Sequence, residues 1–206
     1  MPHSSPKHQP WQVLDTREVY AAPPWVRLFV QRLRLPDGRV IENFHQLQMP
    51  DYALVVPRLE DGRILLLRQY KHGARAVGLY PPGGHIAPAE SPLAAVQREL
   101  LEETGSVSEH WRSLGSFVCN ANQGCGRAHF FAADHLRRVA APDPGDLEEM
   151  ELVTLTSAEA AAAIAAGQVN SLGAVTALAL ALNPLLRDTG VDFLAFGAST
   201  PHKVEP

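Results

Sequence analysis

The sequence is poor in cysteine and in charge, and each shortage excludes a class of protein. Its 206 residues include two cysteines, Cys119 and Cys125, which are too few for a disulfide framework and are not spaced as in a zinc knuckle. Charged residues make up 19% of the chain, and 18 basic against 22 acidic residues give a formal net charge of -4. This balance argues against a protein that binds nucleic acid through bulk positive charge.

Long hydrophobic runs are missing too. No stretch reaches the roughly 18 uninterrupted apolar residues of a membrane span, and the His-, Pro- and Ser-rich residues 1–10 contain no apolar signal region. We therefore expect a cytoplasmic protein with no membrane partner and with free thiols. Hydrophobic residues make up 46% of the chain, which is enough to bury a compact core.

Apolar runs separated by turn residues predict a sheet protein with packed helices. We predict strands at 25–35, 40–49, 53–59, 63–70, 113–119, 128–132 and 150–155. The first two runs flank Pro-Asp-Gly and the next two flank Glu-Asp-Gly, so each pair is expected to form a hairpin. A capping box at Thr156 and Glu159 predicts one helix, and a second is predicted at 171–186.

A further helix is marked by clear signals at both ends. Ser91 is a typical N-cap, Pro92 suits the first helical position and Gly105 is a typical stop, so we predict a helix over 92–104. The helical period places one set of residues on the face expected to be buried: Leu93, Val96, Leu100 and Thr104.

Another face of this helix carries Glu99, Glu102 and Glu103. Carboxylates three and four residues apart lie side by side and repel each other. A solvated acidic face is the simplest interpretation of such a cluster. The alternative interpretation is a binding site for a hard divalent cation, which prefers oxygen ligands.

The spacing around these acids favours the second interpretation. The pattern Gly-x5-Glu-x7-Arg-Glu-Leu-x-Glu-Glu-x-Gly is formed by Gly84, Glu90, Arg98, Glu99, Leu100, Glu102, Glu103 and Gly105. This segment resembles the Nudix box, the signature of the Nudix hydrolases, and departs from it only at Ser106, where the family usually has an aliphatic residue. Residues 65–73 and 26–49 resemble the branch that hydrolyses nucleoside diphosphate sugars, which includes the ADP-ribose pyrophosphatases.

The resemblance implies a fold of the α/β (α+β) class, an α/β/α sandwich around a mixed sheet. Its N-terminal antiparallel strands are expected to pair across a homodimer. The implied organisation is a disordered lead at 1–10, an N-terminal β region at 11–52, a Nudix catalytic domain at 53–187 and a tail at 188–206.

The resemblance also implies metal-dependent hydrolysis of the pyrophosphate bond in a nucleoside diphosphate linked to another moiety. The expected substrate is a small nucleotide, a nucleotide sugar such as ADP-ribose. The family's metal-ligand positions match Gly83, through its backbone carbonyl, and Glu99, Glu102 and Glu103, with Mg²⁺ or Mn²⁺ as the cation.

Catalytic roles are implied for Glu102, Glu103 and Arg98, whose guanidinium would orient the box carboxylates. Glu90 matches a position that braces this arginine. The catalytic base of this branch often comes from an acidic loop after the box, which predicts Glu148 and Glu149, with a solvated loop as the alternative.

Arg68 follows an apolar run before the box, in a region where the family contacts substrate phosphates. A planar guanidinium suits a diphosphate, and an ion pair at the rim of the sheet is the alternative.

Two departures leave the substrate class open. The segment 80–84, Tyr-Pro-Pro-Gly-Gly, lacks the acidic residue of the ADP-ribose enzymes, and their proline after the box is missing. A Nudix hydrolase of nucleoside triphosphates or coenzyme A, and a non-catalytic module that senses a nucleotide, are the alternatives. The three intact box glutamates favour an enzyme.

Overall fold

The computed structural model describes residues 9–143, 145 and 149–187. The chain folds into two compact units. Within the described residues, the first contains the chain from residue 9 to Pro50 together with Val118–Arg127, and the second contains Asp51–Phe117 and the chain from Ala128 to Arg187. Most of the predicted lead, residues 1–8, and the whole predicted tail at 188–206 lie outside the described residues.

The first unit is built on an antiparallel sheet of three strands, β1 (Gln12–Ala22), β2 (Val26–Arg34) and β3 (Val40–Gln48). The hairpin of β2 and β3 confirms the first predicted hairpin. Gly38 adopts a φ of 88° in its turn, a conformation that favours glycine. Strand β1 was not predicted as a separate element.

The second unit holds the remaining elements. They are β4 (Tyr52–Pro57), β5 (Ile64–Lys71), β6 (Ala76–Tyr80), β7 (Gly83–His85), α1 (Pro92–Thr104), β8 (Ser106–Val107), β9 (His110–Asn120), β10 (Gly124–Asp134), β11 (Arg137–Arg138), β12 (Met150–Leu155), α2 (Ser157–Ala165), α3 (Leu172–Leu182) and α4 (Pro184–Arg187). The ends of β9 and β10 that flank their turn belong to the first unit.

Strand pairing in the second unit is mixed. In one sheet β4 lies between β10, which is parallel to it, and β7, which is antiparallel, and β9 pairs with β10. In the other, β5 lies between β12 and β6, both antiparallel. Mixed sheets with packed helices confirm the predicted α/β (α+β) class.

The second predicted hairpin is wrong. Strands β4 and β5 belong to different sheets, and antiparallel pairing around the turn is limited to a bridge between Arg58 and Ile64 and a hydrogen bond from the Leu59 amide to the Arg63 carbonyl. Strand β4 pairs with β10 and β7, whereas β5 pairs with β12 and β6, so neither strand is a ladder partner of the other. The tight turn at 60–62 therefore connects two sheets and does not join neighbours within one.

Helix α1 covers the mixed sheet of β4 and β10. Its Val96 and Leu100 are fully buried in a core cluster with Ala53, Val55 and Phe131. Leu93, predicted to share this face, is instead 38% exposed in the first helical turn.

The predicted helix at 171–186 is divided in two. Helix α3 ends at Leu182, because Pro184 disfavours helical geometry at Asn183 and cannot donate a backbone hydrogen bond. In the part of the chain that the structure describes, no helix has both the length and the apolar character that a membrane span requires.

Candidate active site

The glycine pair after the two prolines forms a short strand that was not among the strands predicted from the sequence. Strand β7 pairs with β4, with Gly84 opposite Ala53 and Gly83 opposite Leu54. Gly83 has a φ of 146°, and a Cβ on it would lie 2.1 Å from the backbone oxygen of Ala53. Only glycine therefore allows the two backbones to approach this closely.

Helix α1 begins and ends where its signals predicted. The Ser91 hydroxyl accepts a hydrogen bond from the Ala94 amide at 3.1 Å. Gly105 adopts a left-handed φ of 66°, and its amide donates to the Leu101 carbonyl at 2.8 Å. These caps fix where the helix begins and ends, and the burial of Val96 and Leu100 sets which face it turns to the sheet.

Arg98 contacts three box glutamates at once. Its Nε and Nη2 donate to the two oxygens of Glu90 at 3.0 and 3.2 Å. Its Nη1 donates to Glu99 at 2.8 Å and to Glu102 at 3.1 Å. A further bond from Nη2 to the His85 carbonyl, at 3.3 Å, connects the guanidinium to β7. The arginine therefore holds these carboxylates in one group.

This grouping changes the proton affinity of its members. The Arg98 guanidinium, followed by the hydrogen bond from the Ala87 amide, lowers the pKa of Glu90 below its ordinary value. Glu90 and then Glu99 and Glu102 raise the pKa of Arg98. Glu90 and Arg98 therefore stay charged at neutral pH.

Glu103 is held separately from this group. Its Oε2 accepts a hydrogen bond from the Gly83 amide at 2.8 Å, and the residue is only 6% exposed. Glu99 also lies against β7, because a Cβ on Gly84 would come within 2.4 Å of its Oε1. The diglycine strand thus contacts two of the predicted metal ligands.

The donor set suits a divalent cation in chemical type. Glu99, Glu102, Glu103 and the Gly83 carbonyl offer hard oxygen ligands of the kind that Mg²⁺ and Mn²⁺ prefer. Among the residues that the structure describes, no three His, Cys, Asp or Glu side chains converge in a ready-made metal cage. A cation at this position would therefore share Glu99 and Glu102 with Arg98.

The predicted acidic loop is only partly described. Glu148 lies outside the described residues, and Glu149 is exposed immediately before β12. At the start of the loop, the Asp143 amide donates to the Glu102 carbonyl at 2.8 Å. The loop therefore leaves from the end of α1 that carries the box glutamates.

Arg68 lies on the exposed face of β5 and forms an ion pair with Glu151, its neighbour on β12, at 3.2 Å. Its neighbour Gln69 is buried and lines a cavity, so the two side chains point to opposite faces. The structure thus shows an ion pair, on the exposed face of the sheet and not at its rim, and the phosphate contact stays a prediction.

The cavity itself was missed from the sequence. It has a volume of about 490 Å³ and lies entirely in the second unit. Its lining includes Tyr52, Leu54, Gln69, Lys71, Tyr80, Pro81, Gly83, Asn170 and Ser171. The available signal was the alternation in β5, which places Gln69 on the same face as the buried Leu65 and Leu67.

Comparison with known families defines the class to which this fold and acidic helix belong. The model of the NUDIX domain matches residues 49–172, more than half of the chain. The chain therefore belongs to the Nudix family, as the box predicted, and is a Nudix hydrolase. Members of this family generally use divalent metal ions and act on small nucleotides.

Two curated relatives and one solved structure show which members the chain is similar to. An ADP-ribose pyrophosphatase of Bacillus subtilis (strain 168) is 23% identical over 62% of this chain and 68% of its own length. A methanol dehydrogenase activator of Bacillus methanolicus is 26% identical over 66% of this chain and 73% of its own. The crystal structure of an ADP compounds hydrolase superposes with a TM-score of 0.73 and 22% identity, covering 86% of this chain and 95% of that chain, and supports the shared fold.

Proposed function

We propose that this protein is a metal-dependent pyrophosphatase that hydrolyses a nucleoside diphosphate linked to a sugar, with ADP-ribose as the representative substrate. The observation that carries the proposal is the single arginine, Arg98, bonded to three box glutamates beside the Gly83–Gly84 strand. The similarity to an ADP-ribose pyrophosphatase supports the substrate class.

The proposed metal ligands are Glu99, Glu102, Glu103 and the Gly83 carbonyl, and the proposed cation is Mg²⁺ or Mn²⁺. When bound, such a cation neutralises charge on the phosphates and lowers the pKa of water. The protein groups have two tasks around it. Arg98 keeps Glu99 and Glu102 in one orientation, and the Gly83 amide keeps Glu103 in another.

A base must take a proton from the water that attacks phosphorus. We propose Glu148 or Glu149, each of which would accept it on a carboxylate oxygen. The loop that carries them starts at the C-terminal end of α1, which favours this assignment. Removing a general base lowers kcat by roughly 10²–10⁴-fold, so Glu148→Gln and Glu149→Gln should differ by about that factor if only one of them serves.

The test of the function is hydrolysis of a panel of diphosphate compounds with Mg²⁺ and with Mn²⁺. The panel contains ADP-ribose, other nucleotide sugars, nucleoside triphosphates and coenzyme A. We expect release of AMP and ribose 5-phosphate from ADP-ribose, no turnover in chelator, and loss of activity in Glu103→Gln. Glu60→Gln, in an exposed turn, is the matched control and should be as active as the wild type. Failure to hydrolyse any compound with either metal would refute the proposal.

We further propose that the region at 11–52 forms a homodimer and that 53–187 is the catalytic domain. Large hydrophobic residues of the first unit are exposed in the single chain: Trp11, Val13, Tyr20 and Trp25 are between 46% and 61% accessible. Several large apolar side chains exposed in one unit favour a protein interface there. Light scattering should give twice the chain mass, and Tyr20→Ser should lower it. A monomer at every accessible concentration contradicts the dimer.

A further inference from the structure

Two histidines of the second unit, His110 at the start of β9 and His135 directly after β10, have their rings in contact. The ring centres are 5.0 Å apart and the ring planes are inclined at 71°. Both residues are exposed, and neither has a role in the proposed hydrolysis. Imidazole nitrogen is a ligand that suits Zn²⁺, Ni²⁺ and Cu²⁺, whereas Mg²⁺ prefers oxygen. The pair therefore offers a binding chemistry that the box glutamates do not.

The spacing of the two rings matches that of two ligands on one cation. An imidazole nitrogen binds Zn²⁺ at about 2.0–2.1 Å, and the centre of its ring lies about 1.2 Å farther along the same line. Two such rings on a tetrahedral cation therefore have their centres about 5.2 Å apart. The observed spacing of 5.0 Å is close to this value, so the spacing itself requires no movement of the backbone.

The backbone of each histidine is fixed by the buried residue that follows it. Trp111 packs against the core cluster that contains Val96 and Leu100, and Leu136 belongs to that cluster. His135 also adopts a left-handed φ of 56°, a conformation that residues with a Cβ seldom adopt. Strain of this kind persists where the surrounding contacts hold it, and it is concentrated at sites that bind ligands.

A serine joins the two segments that carry the histidines. The Ser108 hydroxyl accepts a hydrogen bond from the His110 amide at 2.9 Å and donates one to the Asp134 carbonyl. The pairing of β8 with β11 holds the same two segments together on the other side of Ser108 and His135. Two ligands that are held in place before binding lose little conformational freedom when they bind the same ion.

The charges close to the pair along the chain are balanced. Arg112 and Arg137 each lie two residues after one of the histidines, and Glu109 and Asp134 each immediately precede one. Two positive and two negative groups leave no net charge that would repel a cation. Within the described ranges, no group of three His, Cys, Asp or Glu side chains converges. Water would therefore complete the coordination, as it does in open metal sites.

We propose that His110 and His135 form a surface site for one divalent transition-metal ion of the kind that imidazole prefers: Zn²⁺, Ni²⁺ or Cu²⁺. This site takes different ligands from the Mg²⁺ or Mn²⁺ site proposed at the box, and it does not depend on hydrolysis. A bound ion joins the start of β9 to the turn after β10, and it stabilises the folded chain because the unfolded chain does not hold the two rings together.

The test must report on individual residues, because the chain contains nine histidines. Ni²⁺, which is paramagnetic, is added to the full chain, and the ring resonances of the histidines are followed by NMR. Excess Mg²⁺ is present so that the box glutamates take up little Ni²⁺. The signals of His110 and His135 should broaden together over one range of Ni²⁺ concentration, while that of His72 stays sharp. Broadening of neither signal, or of one without the other, overturns the proposal.

Two variants test whether the rings bind the same ion. His110→Gln removes one ring, and His135→Asn removes the other while keeping a residue that tolerates the left-handed conformation. Losing one of two joined ligands should lower the affinity of the remaining histidine for Ni²⁺ on the order of 10²-fold. His72→Gln, at an exposed position outside the pair, is the matched control and should leave both signals responding as in the wild type.

The outcome that contradicts a shared ion is equally specific. If His135 responds to Ni²⁺ in His110→Gln as it does in the wild type, the two rings bind separately, and their proximity is an aromatic edge contact only. The titration of the wild type tests the proposal even if a variant fails to fold.

Discussion

The two adjacent glycines of β7 should respond to the same substitution in opposite ways. In Gly84→Ala the new Cβ would lie 2.4 Å from Oε1 of Glu99, at the end of a flexible side chain, and the φ of Gly84 is not in the left-handed region. In Gly83→Ala it would lie 2.1 Å from the Ala53 backbone oxygen, at a φ of 146°. The first clash can be relieved by moving a carboxylate, and the second only by moving a strand.

The expected magnitudes follow from these contacts. An ordinary van der Waals separation begins near 3.4 Å, so the Glu99 carboxylate must move by about 1 Å. A displacement of this size in a catalytic group costs on the order of 10²-fold in rate. The stability of Gly84→Ala should stay within about 1 kcal/mol of the wild type, because alanine also loses less backbone entropy on folding. Gly83→Ala should lose roughly 3 kcal/mol or more.

Two assays check this prediction. Urea unfolding measures the stability of both variants, and kcat/KM for ADP-ribose with Mg²⁺ measures the activity of Gly84→Ala. The expected result is a stable but weakly active Gly84→Ala and an unstable Gly83→Ala. If Gly84→Ala keeps activity within about threefold of the wild type, the position of Glu99 does not matter to the reaction. Equal destabilisation by both variants would refute the steric reasoning.

Three further contacts can be tested by substitution. The Tm of Arg98→Met should lie below that of the wild type at neutral pH, and the difference should shrink as the pH is lowered. Arg98 lowers the pKa of Glu90 in the folded protein, so the stability that Glu90 contributes is present above its unfolded pKa near 4.5 and is lost as the pH falls through the folded value. A difference in Tm that does not change with pH contradicts this prediction. If Arg68 binds phosphate, Arg68→Gln should raise the KM for ADP-ribose, whereas Glu151→Gln, which removes only the partner of the ion pair, should not. Equal effects of the two substitutions on KM would mean that Arg68 acts only through the ion pair. In Gly105→Ala the free energy of unfolding, measured in urea, should fall by roughly 2–4 kcal/mol. The φ of Gly105 is 66°, and the new Cβ would lie 2.2 Å from a backbone oxygen. A variant as stable as the wild type would be inconsistent with a strained cap.

The sequence predicted the box helix better than the sheets. Its boundaries at Pro92 and Thr104 depend on neighbouring residues, because a serine cap, a proline at the first position and a terminal glycine act through local hydrogen bonds and backbone conformation. The end of α3 before Pro184 is also determined by neighbouring residues, yet the sequence analysis predicted one helix over 171–186, because the apolar period continues through the break.

Among the candidate site residues, spacing alone could place Arg98 within reach of Glu102, four residues later on the same helix. It could not show that Arg98 also bonds both oxygens of Glu90 or the His85 carbonyl, since these lie in a loop and a strand whose position relative to the helix is set by tertiary packing. The bond from the Gly83 amide to Glu103 depends on the same packing.

The sequence by itself therefore determined the family, the acidic helix and its caps, because each is encoded in residues close together along the chain. Only the tertiary structure decided that β4 and β5 enter different sheets, and that Gln69 is buried and lines a cavity together with Asn170. The physical reason is that the apolar runs that open β4 and β5 carry no pattern that indicates which strands will pair with them. Its neighbours, and the spaces left between them, are set by contacts from distant parts of the chain.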